Sequence, residues 1–379
     1  MKKKLRVLMV SIGYSPNVGG IETHFDDLTS SLSSEVDYKV LTYMPLTSSV
    51  KAKLYEKNDS SGLEIFRIPI VRGLFYKLVD KPVFEFLYLA PLLFFFMPFL
   101  LLTKYRNIDL IHSHGLVAGL VSVFWGKVFD IKVITTTHSV YSFKKGSMFA
   151  FMSKLAFGMS DLILCLSKQS VEEMAGLGIS RSKISKFTYW VDSRIFKPSL
   201  KKNLVKGSKF TVLFVGRLVK EKGVVELLNS LKNWPKEAGL VVAGSGPLSE
   251  MVEDRSKSDK RILFAGKVQQ VKLPELYSSA DLLIVPSVHE EGFGRVVIES
   301  LMCGTPVMAS ARGGLVEAID DSVGELFVVS SKTIAEKVSY FVKNRSELKK
   351  KSDLARNYAL SRYGEKNSLV ILNSYKSLL

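Results

Sequence analysis

The stretch 289–300, HEEGFGRVVIES, sets two carboxylates, Glu291 and Glu299, eight positions apart across a glycine-rich turn. A strand-like run, Leu282–Pro286, precedes it, so Glu291 is expected in the loop that leaves a strand. Gly292 and Gly294 let the backbone bend tightly there. A helix is expected to begin near Arg295 and to carry Glu299 one turn in. Were all nine residues helical, the carboxylates would stand roughly 12 Å apart along the axis. Two carboxylates that flank one glycosidic bond in a retaining hydrolase lie about 5 Å apart. The pair is therefore expected to hold different parts of one long ligand. Glu291, with the N–H groups of Phe293 and Gly294, suits a sugar, and Glu299 suits a ribose diol. The plain alternative is a capped amphipathic helix with incidental glutamates.

A second constellation lies in FVGRLVKEKGVVELL, residues 214–228. A strand is expected to end at Val215, with Gly216 turning the chain. Arg217 and Lys222 then project from the loop that enters the next helix. Two cations at the carboxyl end of a strand, ahead of a helix N-terminus, suit a diphosphate. In isolation a solvated basic turn reads equally well. Together, the two glutamates and the two cations describe a single nucleotide sugar.

The loop GYSPNVGGIETH (13–24) also runs from strand to helix. Gly19 and Gly20 bring backbone close to something, and the helix N-terminus after them favours an anion. The spacing is not the dinucleotide fingerprint, so NAD is not indicated. Alone, the loop reads as an ordinary strand-to-helix turn. His112 and His114 (LIHSHG) alternate on one strand face, and with His138 (TTTHSV) they could bind zinc, although no carboxylate that would orient them is evident. His138 ends a strand, where an imidazole can hydrogen-bond a sugar hydroxyl or share a proton. A satisfied structural histidine is the alternative.

These side chains need elements to position them. The chain has 379 residues, 47% of them hydrophobic, enough for two or three domains with real cores. Lys plus Arg outnumber Asp plus Glu by 53 to 36, a formal net charge of +17. Such an excess favours an acidic partner: nucleic acid, an anionic membrane or a phosphate-bearing substrate. Cys165 and Cys303 lie in apolar runs without metal spacing, which fits a reducing cytosol and no disulfide framework. The N-terminal MKKKLRVLMVSIGYSP imitates a signal peptide, but Arg6 interrupts a short apolar core and no small-residue cleavage site follows; Leu5–Ile12 is read as a buried strand.

Short apolar strands alternate with helical stretches throughout, the signature of parallel α/β sheets. One set ends near Ile184–Phe187. A Lys-rich stretch, 197–209, reads as a linker, and a second set starts at Phe210–Val215. Sheets of this type bind ligands at the carboxyl ends of their strands, and a cleft between two of them is the expected site. Residues 86–103, FLYLAPLLFFFMPFLLLT, reach the length of a membrane span without a charge. Pro91 and Pro98 would kink a helix there, and strands on both sides argue against spanning. A helix pressed into a membrane surface, helped by Lys77, Lys81, Lys104 and Arg106, is the favoured expectation, and a buried core helix the alternative.

As a set, GGIETH, LIHSHG, TTTHS, GRLVKEKG, VAGSGP, EEGFGRVVIESLMCGTPV and GGLVEAI resemble the family-four (group 1) retaining glycosyltransferases. The segment from Glu291 to Glu299 is similar to that family's glutamate-seven-residues-glutamate motif. The resemblance covers nearly the whole chain. It implies the GT-B fold: α/β, two Rossmann-like domains with parallel sheets facing across a cleft. The expected domains are 1–192, with a C-terminal helix 362–379 packing back on it, and 208–361 for the donor. By resemblance Arg217 and Lys222 bind the donor diphosphate, Glu299 the ribose and Glu291 the transferred sugar. The loop at Gly19 and Gly20 approaches the donor phosphate and the acceptor, and His138 sits beside the reaction centre. The family usually shows Asn-Gly-Val-Asp where this chain has TYWVD (188–192), so no site role attaches to that turn. Among subfamilies, GGIETH, HSH and HSVYSF look most like the phosphatidylinositol N-acetylglucosaminyltransferases.

The expected reaction is glycosyl transfer from a nucleotide diphosphate sugar with retention, to a lipid-linked or glycan acceptor. No Asp-x-Asp pair occurs, so no metal and no other cofactor is expected; Arg217, Lys222 and helix N-termini would take the metal's part. The expected location is cytoplasmic, peripheral on the inner face of the membrane. A nucleotide-sugar epimerase of the same fold and a non-catalytic protein that only binds nucleotide sugars stay open. No nucleic-acid motif accompanies the charge.

Overall fold

The computed structural model describes residues 3–17, 19–45, 51–58, 62–70, 82–141, 143, 146–200 and 202–379, with the side chains of 82–85 excepted. It divides into two compact units: Met1–Thr188 with Lys366–Leu379, and Tyr189–Glu365.

The first unit begins β1 (Leu5–Ser11), α1 (Gly20–Ser31), β2 (Val36–Tyr43), β3 (Tyr55–Lys57), β4 (Glu64–Ile68) and α2 (Pro82–Leu102). It continues β5 (Leu110–His114), α3 (Leu116–Val128), β6 (Lys132–Thr137), α4 (Met148–Met159), β7 (Leu162–Cys165), α5 (Lys168–Gly176) and β8 (Ile184–Lys186). The strands form one eight-stranded sheet in the order β3-β4-β2-β1-β5-β6-β7-β8. All neighbours are parallel except β3, which lies antiparallel on the edge of β4. That edge strand departs from the expected all-parallel sheet, and its three residues carry too little apolar pattern to be read from sequence.

Chain order and sheet order together place the helices. The connections through α2, α3, α4 and α5 all step the same way across the sheet, whereas α1 steps the other way. Crossovers between parallel strands are right-handed, so α2 to α5 cover one face and α1 the other. The alternation in β5 agrees. Ile111 packs with Leu93, Met97 and Val121 from α2 and α3, while His112 and His114 point to the opposite face.

The uncharged run forms α2, which continues through Pro91 and Pro98. A proline cannot donate to the carbonyl four residues earlier. For Pro98 that carbonyl belongs to Phe94, and the Trp125 indole donates to it instead at 2.9 Å. Pro91 sits on the exposed side of α2. Leu89, Leu93, Met97 and Leu100 are buried in the core, so one side of α2 is core, as the alternative reading had it. The opposite side is exposed. Phe94 packs on Phe124 and Trp125, and Phe96 on Phe66, so these two are not free to anchor in lipid; Phe95 alone of the three is fully exposed. Among the described residues no helix is long and apolar enough to cross a membrane. Lys77 and Lys81 lie outside the described residues.

The second unit runs β9 (Phe210–Val215), α6 (Val224–Ser230), β10 (Ala238–Ala243), α7 (Ser249–Ser258), β11 (Ile262–Gly266), α8 (Leu273–Ser279) and β12 (Leu282–Val285). Then follow α9 (Arg295–Met302), β13 (Val307–Ser310), α10 (Leu315–Ala318), β14 (Gly324–Phe327), α11 (Ser331–Lys343) and α12 (Arg345–Tyr363). Its six strands are all parallel in the order β11-β10-β9-β12-β13-β14. The order reverses direction at β9 and β12, the switch point where such sheets bind ligands.

The Lys-rich stretch 197–209, read as a linker, lies inside this unit, whose first residue is Tyr189. Buried Trp190, Val191, Phe196 and Val205 pin the segment there, and Arg356 donates to the Phe196 carbonyl at 3.0 Å. A last helix, α13 (Ser368–Leu378), belongs to the first unit, where Ile371, Leu372 and Tyr375 are buried.

Candidate active site

In the second unit the loops after β9, β12 and β13 converge. The turn after β9 ends at Gly223, whose φ of +69° suits glycine. A Cβ there would stand 1.8 Å from the Pro286 carbonyl oxygen, so glycine lets the start of α6 touch the end of β12. The loops are then tied: the Val288 N–H and the His289 Nδ1–H both donate to the Glu221 carbonyl, each at 2.9 Å. On the other side, Gly313 has a φ of +54° and a Cβ on it would meet the Glu291 carbonyl oxygen at 2.2 Å. The Gly314 N–H donates to that carbonyl at 2.8 Å. The loop Glu291–Gly294 is thus held from both sides.

That loop presents Glu291. Its carboxylate is buried and pairs with the Lys222 ammonium, and it accepts from the Ser287 hydroxyl on the same oxygen. Burial pushes the carboxyl upward, but the charge and hydrogen bond of Lys222 and the bond from Ser287 outweigh it and hold it below the usual carboxylate range. Arg217 is exposed, and its guanidinium makes no ion pair or hydrogen bond among the described residues. One of the two expected cations is therefore engaged, and the other is open to an anion. The N–H groups of Phe293 and Gly294 donate no hydrogen bond among the described residues. The Phe293 ring packs against Tyr189 and Tyr363, so its side chain shapes the loop.

Helix α9 begins at Arg295 and carries Glu299 one turn in. Glu299 is buried and held twice: Arg295 Nε donates at 2.9 Å and the Tyr277 hydroxyl at 2.8 Å. Burial raises the carboxyl above its ordinary value, against the pull of Arg295 and Tyr277. Arg295 Nη1 also donates to the Trp190 carbonyl at 3.2 Å, which gives the TYWVD segment an anchoring role. Ser287, Tyr277 and Arg295 were not among the expected site residues. Only Arg295, an i,i+4 partner of Glu299 on an expected helix, had a signal in the sequence.

In the first unit Gly19 is the N-cap of α1 and Gly20 its first residue. Gly19 has φ −175°, extended backbone that needs no glycine. A Cβ there would lie 2.5 Å from Glu22 Oε2, and one on Gly13 2.9 Å from Glu22 Oε1, contacts with the end of a flexible side chain that can swing aside. The close neighbour of this loop is the chain's own carboxylate.

Three buried histidines line the same sheet face. His114 Nδ1 and His138 Nε2 share a hydrogen bond at 2.9 Å. His112 Nδ1 meets the Tyr375 hydroxyl at 2.7 Å, and its Nε2 meets Thr136 Oγ1 at 2.7 Å. The Tyr375 hydroxyl accepts from Tyr38, so its proton goes to His112 Nδ1 and His112 Nε2–H donates to Thr136. Both ring nitrogens of His112 are therefore taken, against a zinc role. Among the described residues no group of three or more His, Cys, Asp or Glu could hold a metal ion. Burial lowers His112 and His138 to about 3, and His114 well below its usual value. Burial thus keeps His138 a neutral imidazole at neutral pH, with one nitrogen engaged by His114.

Two family models match the chain. Residues 18–192 match Glycosyltransferase Family 4, and residues 196–359 match Glycosyl transferases group 1. An uncharacterized glycosyltransferase of Methanocaldococcus jannaschii is 27% identical over 357 residues, covering 86% of this chain and 85% of that protein. A phosphatidylinositol N-acetylglucosaminyltransferase component of Arabidopsis thaliana is 26% identical over 335 residues, covering 84% of this chain and 70% of that protein. Among solved structures, Anabaena HepE in complex with UDP superposes with a TM-score of 0.76 at 19% identity, covering 99% of this chain and 100% of that one. The same protein was also crystallised with UDP-glucose.

Proposed function

We propose, since this chain belongs to the family-four, group 1 glycosyltransferases and has their GT-B fold, that it is a retaining hexosyltransferase using a nucleotide diphosphate sugar. The observation that carries the reading is the convergence of Lys222, Arg217 and Glu291 at the switch point of the second sheet. Arg217 meets the diphosphate first, as the open cation. Lys222 then exchanges its bond to Glu291 for a phosphate oxygen, and the freed carboxylate accepts from the sugar hydroxyls. Glu299, fixed by Arg295 and Tyr277, offers its remaining lone pairs to the ribose diol.

In the reaction the bond from the anomeric carbon to the phosphate oxygen breaks, and the acceptor oxygen bonds that carbon on the same face. The acceptor hydroxyl gives its proton to the departing diphosphate. Arg217 and Lys222 stabilise the charge that develops there, without a divalent metal. His138, held neutral, hydrogen-bonds the transferred sugar. The acceptor is lipid-linked or presented at a membrane surface, on the cytoplasmic side. The named activity of the Arabidopsis relative supports a lipid acceptor, the HepE complexes support the donor class, and two free cysteines suit a reducing compartment.

Turnover of nucleotide sugars with and without a lipid acceptor tests the reading. Acceptor-dependent release of nucleoside diphosphate is expected, unchanged by EDTA. Glu291→Gln should lower kcat more than it weakens donor binding. Interconversion of the donor without acceptor would indicate an epimerase, and donor binding without turnover a protein that only binds. Loss on chelation, restored by magnesium or manganese, would overturn the metal-free account.

A further inference from the structure

Helices α2, α3 and α4 lie side by side on one face of the first sheet, and all three turn large apolar side chains to solvent. On α2 these are Leu87, Phe95, Phe99 and Leu102, with Phe95 72% and Phe99 60% exposed. They recur at helical spacing, opposite the stripe that enters the core. On α3, Phe124 and Val128 are exposed, and on α4, Met148, Phe151 and Leu155. Phe95 touches Phe94, which touches Phe124, so the α2 and α3 patches join. A contiguous exposed apolar area of this kind marks a docking surface.

The charges exposed between these apolar side chains are basic, while the acidic residues nearest to them in sequence, Glu85 and the exposed Asp130, stand toward the ends of α2 and α3. Residues 86–108, 116–128 and 148–159 contain no Asp or Glu. Arg106, Lys127 and Lys154 are exposed among the apolar side chains. Lys104 is less available, because it pairs with Glu64 and lies over the Tyr55 ring. A second copy of this chain would set these cations against one another. An anionic bilayer complements both the apolar side chains and their basic neighbours.

We infer that the outward face of α2, α3 and α4 is a single three-helix docking surface for an anionic lipid bilayer. It enters the interface by its phenylalanines and does not span. The inference rests on the membrane-surface acceptor of the proposed function and names the surface that reaches it.

Co-sedimentation with phosphatidylglycerol–phosphatidylcholine vesicles tests it. The wild-type protein should bind at low salt, release at high salt and ignore pure phosphatidylcholine. The triple variant Phe95→Ser/Phe99→Ser/Phe151→Ser should bind at least about tenfold less while keeping the wild-type Tm, since all three side chains are exposed. Lys127→Glu/Lys154→Glu should weaken binding through charge alone and leave the apolar face intact. Wild-type protein that stays in the supernatant, or a triple variant that binds like wild type, overturns the inference. So does sedimentation showing that the triple variant dissolves a dimer that vesicles leave intact. Donor binding by calorimetry with UDP-glucose is measured in parallel. Donor binding without vesicle binding removes the docking surface and leaves the transferase reading standing. Vesicle binding without donor binding does the reverse.

Discussion

The Glu299 carboxylate is engaged from two sides, by the Arg295 guanidinium and the Tyr277 hydroxyl, and all three are buried. Removing one partner of a buried ion pair strands the other charge, typically at about 3–5 kcal/mol. Arg295→Met should therefore destabilise the second unit by about 3 kcal/mol at pH 7. The sign with pH follows from the carboxyl, whose folded value already lies above the ordinary one and rises further when the cation is lost. A group raised on folding lowers stability as pH climbs from its ordinary value through its folded value. The deficit of Arg295→Met should shrink toward pH 5 and grow toward pH 8 in urea melts. Arg295→Lys should recover part of it, and a deficit independent of pH would remove the pair from the account. The spacing from Glu291 to Glu299 was legible because a glycine turn and a helix start carry local signals. Tyr277 was illegible because it comes from α8, 22 positions before Glu299. Arg295, four positions before Glu299 on the same helix, had a local signal that was not used, and Ser287 depends on how the loop after β12 folds back on itself.

At the scale of elements, α2 shows how a proline-bearing run remains helical. Pro98 frees the Phe94 carbonyl, and the Trp125 indole on α3 satisfies it. Trp125→Phe keeps the ring packing and removes the donor. It should cost about 1 kcal/mol, the low end of the range for an acceptor left unsatisfied, because the bond is only partly buried. In a Pro98→Ala background the backbone regains its own donor, so the same substitution should cost less; equal costs in the two backgrounds would show that the bond carries nothing. Strands such as β1, β9 and β12 lie where apolar runs were expected, at Leu5–Ile12, Phe210–Val215 and Leu282–Pro286. The short edge strand β3 was not, for lack of pattern, and β7 was read only as the apolar run around Cys165. The continuity of α2 was illegible for another reason: the donor that repairs it lies 31 positions away.

For the whole molecule, the net charge of +17 does not distinguish a polyanion from a membrane until the structure shows where cations adjoin exposed apolar surface. The histidines behave as a set in acid. His112, His114 and His138 are all held below their usual value by burial, two of them to about 3. Below about pH 6.5 the unfolded chain takes up protons that the folded chain refuses, and each such proton costs about 1.4 kcal/mol per pH unit. Stability of the first unit should fall steeply from pH 6.5 toward pH 4. His112→Gln should flatten the slope of Tm against pH, and an unchanged slope would locate the acid sensitivity elsewhere.

Tyr375, which completes the hydrogen bonding of His112, comes from α13, while all eight strands of that sheet precede residue 189. The second unit is therefore an insertion in the first. On the ribosome, the sheet is synthesised about 180 residues before the helix that covers it, roughly 10–40 s at the usual pace of elongation. During that interval the inserted unit can fold first, whereas the sheet face that carries His112 waits with only α1 upon it and His112 lacks its Tyr375 partner.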